Sequence, residues 1–214
     1  GPQGLPLFCF FLLRIPLRLS AKIRRLREMT MDTSQASLTF AEAIKDAENL
    51  LAHFDALNTK PPPPEIEVLK RAGMVMAMTA WETYVEDRVL EASTMRLAHV
   101  VDASIASFMH ARLNEEIKRL HNPSSEKTIQ LFRDYAGVDV SVHWRWSHVE
   151  PAVAKERLNA YLKQRGDVVH RSLTLVKGPP QPHPVTKEDL QRAVAFLKEL
   201  VKGTDRALQA ALDT

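Results

Sequence analysis

From about Ser37 onward, apolar and polar positions alternate at a helical period. Phe40, Ile44, Ala47, Leu51 and Phe54 recur at spacings of three and four, which predicts an amphipathic helix. Asn58 to Pro64 ends in four consecutive prolines, a stiff loop that cannot continue a helix, and Pro64 suits the first turn of the next one. That next helix is predicted from Glu65 to about Val101. Its middle, Ala72 to Trp81, is apolar on nearly every face, the pattern of a helix buried on all sides. Met74, Met76 and Met78 read as adaptable core filler there. Ile105 to Leu120 repeats the amphipathic pattern, with Ile105, Phe108, Met109, Leu113, Ile117 and Leu120 on one stripe, and Asn122-Pro123 stops it.

The second half continues in helices. Ser124 or Ser125 caps a short one carrying Ile129, Leu131, Phe132 and Tyr135, which Gly137 closes. Val138, Val140 and Val142 alternate with polar residues over too short a run for a strand and read as an extended connection. Pro151 opens a helix to Gln164 whose apolar face is Val153, Ala154, Leu158, Tyr161 and Leu162. After a proline-rich loop, Gly178 to Pro184, Thr186 and Asp189 nearly match a capping box for a last helix, Lys187 to about Leu212, with Gly203 as a candidate kink. The expected fold is therefore all-α: a single bundle of about five to seven helices around a long buried central one. There is no internal repeat, no sustained heptad run, no P-loop and no dinucleotide fingerprint.

Composition adds two constraints. The single cysteine, Cys9, rules out an internal disulfide and suits a reducing, cytoplasmic setting. The net charge of +3 is carried by residues 1–27, which hold six basic side chains and no acid; the remainder has 23 basic against 26 acidic, a net of −3. Any nucleic-acid contact must then come from a local patch rather than from overall charge. The same leader has an apolar run, Leu7 to Leu13, far short of a membrane span, and Met29 and Met31 both suit a start. Residues 1–34 are expected to be a leader or cloning-derived segment outside the fold, and 35–214 the helical domain. No membrane partner is expected.

Three groups of residues are candidates for chemistry. Arg165 and His170 stand five apart at the end of a helical pattern, a separation of about 140° of helical rotation, so both can approach one phosphate. The spacing alone carries no weight: allowing four to six intervening residues, composition predicts about two Arg–His pairs by chance, and the chain has one. Glu82 directly follows the buried stretch and reads either as part of a solvated face with Glu86, Asp87 and Glu91 or as a site residue. In His143-Trp144-Arg145-Trp146-Ser147-His148, the two histidines lack a third metal ligand. Trp144, Arg145 and Trp146 are either an RNA-contacting surface on which bases stack or a loop that plugs the bundle with tryptophan.

Taken together, these elements resemble the HEPN superfamily, in its RiboL-PSP-HEPN type. The resemblance rests on the apolar helix ending in Trp81-Glu82-x-Tyr84, the short helix with Ile129-x-Leu131-Phe132, the helix running into Arg165-x4-His170, and the closing Thr186-x-Glu188-Asp189-Leu190. It spans roughly residues 38–212. It implies a two-fold dimer with Arg165 and His170 of both protomers at one cleft, where they would catalyse metal-independent RNA cleavage to a 2′,3′-cyclic phosphate and a 5′-OH. Asp167, Glu82 and Arg171 would support them. It implies an RNA substrate, no cofactor and no metal, and, for members that are toxins or phage-defence effectors, an antitoxin or regulatory protein partner. The chemistry suits the residue types: imidazole exchanges protons near neutral pH and guanidinium holds phosphate oxygens bidentately. Two positions depart from the family's pattern. Gly166 stands where a polar residue often follows the Arg. Ser172 stands where some toxins carry a tyrosine that a partner enzyme modifies.

Overall fold

A helix with no polar face through its middle is stable in water only if other helices surround it, and the architecture follows from that need. The computed structural model describes residues 34–59, 63–170 and 185–212, with the backbone alone for Pro64, His170 and Leu212. Among the described residues, six α-helices form an all-α bundle: α1 (Gln35–Leu57), α2 (Glu67–Leu97), α3 (Ala103–Ile117), α4 (Ser125–Ala136), α5 (Pro151–His170) and α6 (Lys187–Leu212). Among the described residues there is no strand, only one bridge between Trp146 and Val149. No described helix is long and apolar enough to cross a membrane.

The 31 residues of α2 span roughly 46 Å, and α2 packs against each of the other five helices. Met74, Ala77, Met78, Trp81, Tyr84, Val85, Val89 and Ala92 are fully buried along it. The methionines fill core, as the sequence suggests. Trp81 is the hub of an aromatic cluster, edge-on to Trp144 at 6.5 Å and tilted against Tyr84 at 5.7 Å. Burying one such side chain, about 150–250 Å², is worth up to roughly 4–6 kcal/mol.

The predicted stops are used. Ser34 caps α1 by accepting from the Ser37 amide, and Ser124 caps α4 by accepting from the Lys127 amide. Gly137 ends α4 in the left-handed region at φ 71°. Thr186 and Asp189 form a reciprocal box, each amide donating to the other's side chain at 3.0 Å.

Four expectations change. The central helix begins with a 3-10 turn, Pro64–Ile66, and stops at Leu97 rather than Val101. Val140–His143 is a 3-10 turn, not an extended connection, because Asp139 accepts from the Ser141 amide and hydroxyl and winds the chain. The α3 stripe is buried only in part: Leu113 is the one buried residue of α3, while Ile105 and Phe108 are more than half exposed, since only the C-terminal half of α3 reaches the core. Gly203 does not break α6. A Cβ there would lie 2.7 Å from the His143 carbonyl oxygen, so its bare backbone is what lets the 140–144 turn seat Trp144.

One polar cluster ties the ends of α1, α2 and α6 together. Asp205 accepts from Arg88 Nε at 2.8 Å and from the Tyr84 hydroxyl at 3.0 Å, and Ser37 also donates to it. Glu91 accepts the Ala36 amide at 2.8 Å. Burial, with Asp205 beside it, holds the Tyr84 hydroxyl well above its ordinary pKa, so it stays a donor.

Three substitutions test these features, all read by urea unfolding. Gly203→Ala should destabilise by about 1–3 kcal/mol, because backbone must move. Gly166→Ala should stabilise by up to about 1 kcal/mol, because Gly166 is helical with nothing within 4 Å of its missing Cβ. Asp205→Ala, which leaves Arg88 and Tyr84 without their shared acceptor, should cost about 1–3 kcal/mol.

Candidate active site

The site starts from the residue after Trp81. Trp81 is buried, and its indole N–H points at the Pro123 carbonyl oxygen at 3.5 Å. Glu82, one position on, is turned by about 100° and comes out at the edge of the core. There it meets the loop between α3 and α4. Leu120 and Pro123 of that loop are buried, and between them His121 and Asn122 are exposed. Asn122 has φ 52°, a left-handed conformation that Asn tolerates better than most residues. The turn lets its amide donate to Glu82 Oε1 at 3.3 Å while its side-chain oxygen accepts from Arg165 Nη1.

Arg165 reaches this point from α5. The helix continues past Gln164, where the sequence pattern fades, and runs through His170. Arg165 and the backbone of His170 therefore lie on one unbroken helix, although Gly166 is between them. Arg165 Nη2 is 3.9 Å from Glu82 Oε2, and His121 Nδ1 is 4.0 Å from Glu82 Oε1. Both are ion-pair separations rather than hydrogen bonds. Arg165 Nε is buried without an acceptor, so the protein does not satisfy the whole guanidinium. Arg165 and Glu82 are about one-fifth exposed, at 22% and 18%, so an incoming anion can reach the pair.

Of the predicted site residues, then, Glu82 and Arg165 are brought together. Asp167 is half-buried on α5 two positions later. The side chain of His170 and all of Arg171 lie outside the described residues. Sequence reasoning missed His121 and Asn122, which read only as the stop of α3. Nothing in their spacing ties them to residue 165; only the anchoring of Pro123 by Trp81 does.

The base-stacking reading is overturned for Trp144. Trp144 is fully buried and donates through Nε1 to Thr204 Oγ1 at 2.9 Å. Trp146 is half-buried against the Phe196 ring at 5.6 Å, and Arg145 is on the surface, 3.2 Å from Glu150. The segment plugs the bundle because its apolar rings gain more from the core than from water. Among the described residues, no three His, Cys, Asp or Glu side chains come together as a metal site.

Acidic residues crowd the exposed edge of α2. Glu86 is held above its ordinary pKa, first by burial and then by Glu82 and Asp87, with His121 opposing. Burial likewise raises Asp87. On the other side of the loop, Arg119 and Leu120 line a cavity of about 280 Å³ with Glu116, Lys127, Gln130 and Leu131.

The helix order, the all-α core and the meeting of the α5 arginine with the acidic edge of α2 define a HEPN-type helical domain. The chain belongs to the RiboL-PSP-HEPN family, whose model matches residues 42–210. No curated protein matches the chain. No solved structure matches it either.

Glu86 gives a pH prediction. Its folded pKa lies above its unfolded value, so the folded state holds the proton more tightly. The stability this confers is present at acid pH and is lost as pH rises through and beyond 4.5. Glu86→Gln should therefore melt at a higher temperature than the parent at pH 7. The difference should vanish below about pH 4, where both the parent and the variant are neutral at this position. Thermal melts across this range check it.

Proposed function

We propose that the protein is a metal-independent endoribonuclease that acts in the cytoplasm as a homodimer, with Arg165 and His170 of each protomer at one cleft. Membership of the RiboL-PSP-HEPN family supports ribonuclease activity. The observation that carries the site assignment is Arg165: a partly exposed guanidinium, gripped by Glu82 and Asn122 from two other elements, on the helix that leads into His170. Such an arginine is oriented before substrate arrives and can stabilise charge as it develops on phosphate oxygens.

The reaction needs no external nucleophile. The ribose 2′-OH attacks the adjacent phosphorus, a base takes its proton, and the P–O5′ bond breaks as an acid protonates O5′. The products are a 2′,3′-cyclic phosphate and a 5′-OH. His170 suits one of these proton transfers, because imidazole gains and loses a proton near neutral pH. Asp167 and Arg171 are its proposed supports. The toxin or phage-defence role, with an antitoxin or regulator as partner, is proposed on the family's habits alone.

A second reading is a non-catalytic RNA- or nucleotide-binding dimerisation module. Gly166 favours it: where relatives often carry a polar residue beside the arginine, this helix presents none, and the space is open.

Cleavage of RNA in EDTA separates the two. The wild type should yield cyclic-phosphate ends, and Arg165→Ala and His170→Ala should each be slower by about 10²–10⁴-fold. Equal cleavage by wild type and His170→Ala, or strict metal dependence, would sink the nuclease assignment. RNA retained with no product would establish the binding module instead.

A further inference from the structure

We infer that His121 is a second proton-transfer group of the same site, so that each protomer carries two imidazoles for the two proton transfers. This rests on the nuclease reading and adds a residue to it. Three observations carry it. His121 is the exposed neighbour of Asn122, whose side chain holds Arg165. Its Nδ1 lies 4.0 Å from Glu82 Oε1, and the other oxygen of that carboxylate faces Arg165 at 3.9 Å, so one carboxylate addresses both side chains. The loop that presents it is anchored on both sides: Leu120 and Pro123 are buried, the Pro123 carbonyl receives the Trp81 indole and Thr128 hydroxyl at 3.5 Å each, and the Asn122 amide is tied to Glu82.

The Glu82 carboxylate stands on the Nδ1 side of the imidazole, too far for a hydrogen bond, and Nε2 is the nitrogen assigned to exchange a proton with substrate. At 81% exposure, His121 has no packing role to explain its place. The charged groups around it are Glu82 and Glu86 on α2 and Arg165 on α5. A phosphodiester gripped by Arg165 lies beside it. The proton balance then closes with two imidazoles: one removes the 2′-OH proton as the 2′-O–P bond forms, and the other delivers a proton to O5′ as the P–O5′ bond breaks. Each ends in the other's starting state and is reset by water.

The test has two arms on the full chain. In the first, histidine ring resonances are followed by NMR while a 2′-O-methyl oligoribonucleotide, which cannot be cleaved, is added. The His121 resonance should move in the wild type and stay still in Arg165→Ala; an unmoved His121 in the wild type overturns the proposal, whatever the protein does to RNA. The second arm is single-turnover cleavage of the unmodified oligonucleotide. His121→Gln and His121→Ala should be slower by about 10²–10³-fold with oligonucleotide affinity within about threefold of wild type. His53→Gln, on the exposed face of α1, should leave the rate unchanged. Wild-type rates in His121→Gln, or a loss confined to affinity, overturn the proton-transfer role. If the wild type binds the oligonucleotide at His121 and cleaves nothing, the nuclease reading falls and the proton-transfer role falls with it.

Discussion

The packing of α2 against the five other described helices is the constraint on which the rest of the molecule depends. Trp81 is where this packing becomes functional. Its rings close the core against Trp144 and Tyr84, and its single donor goes to the Pro123 carbonyl, fixing the loop between α3 and α4. An indole N–H is commonly matched to an acceptor when buried. Here the acceptor belongs to the loop that carries His121 and Asn122. The next residue along α2 is Glu82, to which that loop and Arg165 both turn. The candidate site is thus assembled one residue from the centre of the core.

Electrostatics then decides how the arginine is presented. The acidic edge of α2, with Glu82, Glu86 and Asp87, is an unfavourable surface for RNA, and Glu86 and Asp87 are already pushed toward their neutral forms by burial. Arg165 is the cation placed against it, and the His121 imidazole stands beside the same carboxylate. A guanidinium held by one carboxylate and one amide oxygen is restrained but still offers donors to a phosphate, so orientation is secured before binding. Residues 28–214 have a net charge of −3, so recognition of a polyanion depends on such local placement.

Much of the fold was legible because its signals are local. Ser124, Gly137 and the Thr186–Asp189 box act through hydrogen bonds within a few residues, and each ends or begins a helix where the chain pattern says. Where neighbours decide, local pattern misled. The apolar stripe of α3 is real in sequence, yet Ile105 and Phe108 are more than half exposed. Gly203 looks like a break and is instead a close approach to the His143 backbone. Asp139 winds a turn from what alternation suggested was extended chain.

The sequence by itself determined the all-α class, the buried central helix, the capped helix ends and the Arg165-x4-His170 spacing. These follow from periodicity, capping and the geometry of 3.6 residues per turn, all properties of near neighbours in the chain. Only the tertiary structure decided that Trp144 is core rather than a stacking platform, and that Arg165 meets Glu82 and the His121–Asn122 loop. Residues 82, 121–122 and 165 are separated by about forty positions each, and no periodic signal crosses such gaps. They are brought together because one indole, buried at the centre, takes its acceptor from a distant turn.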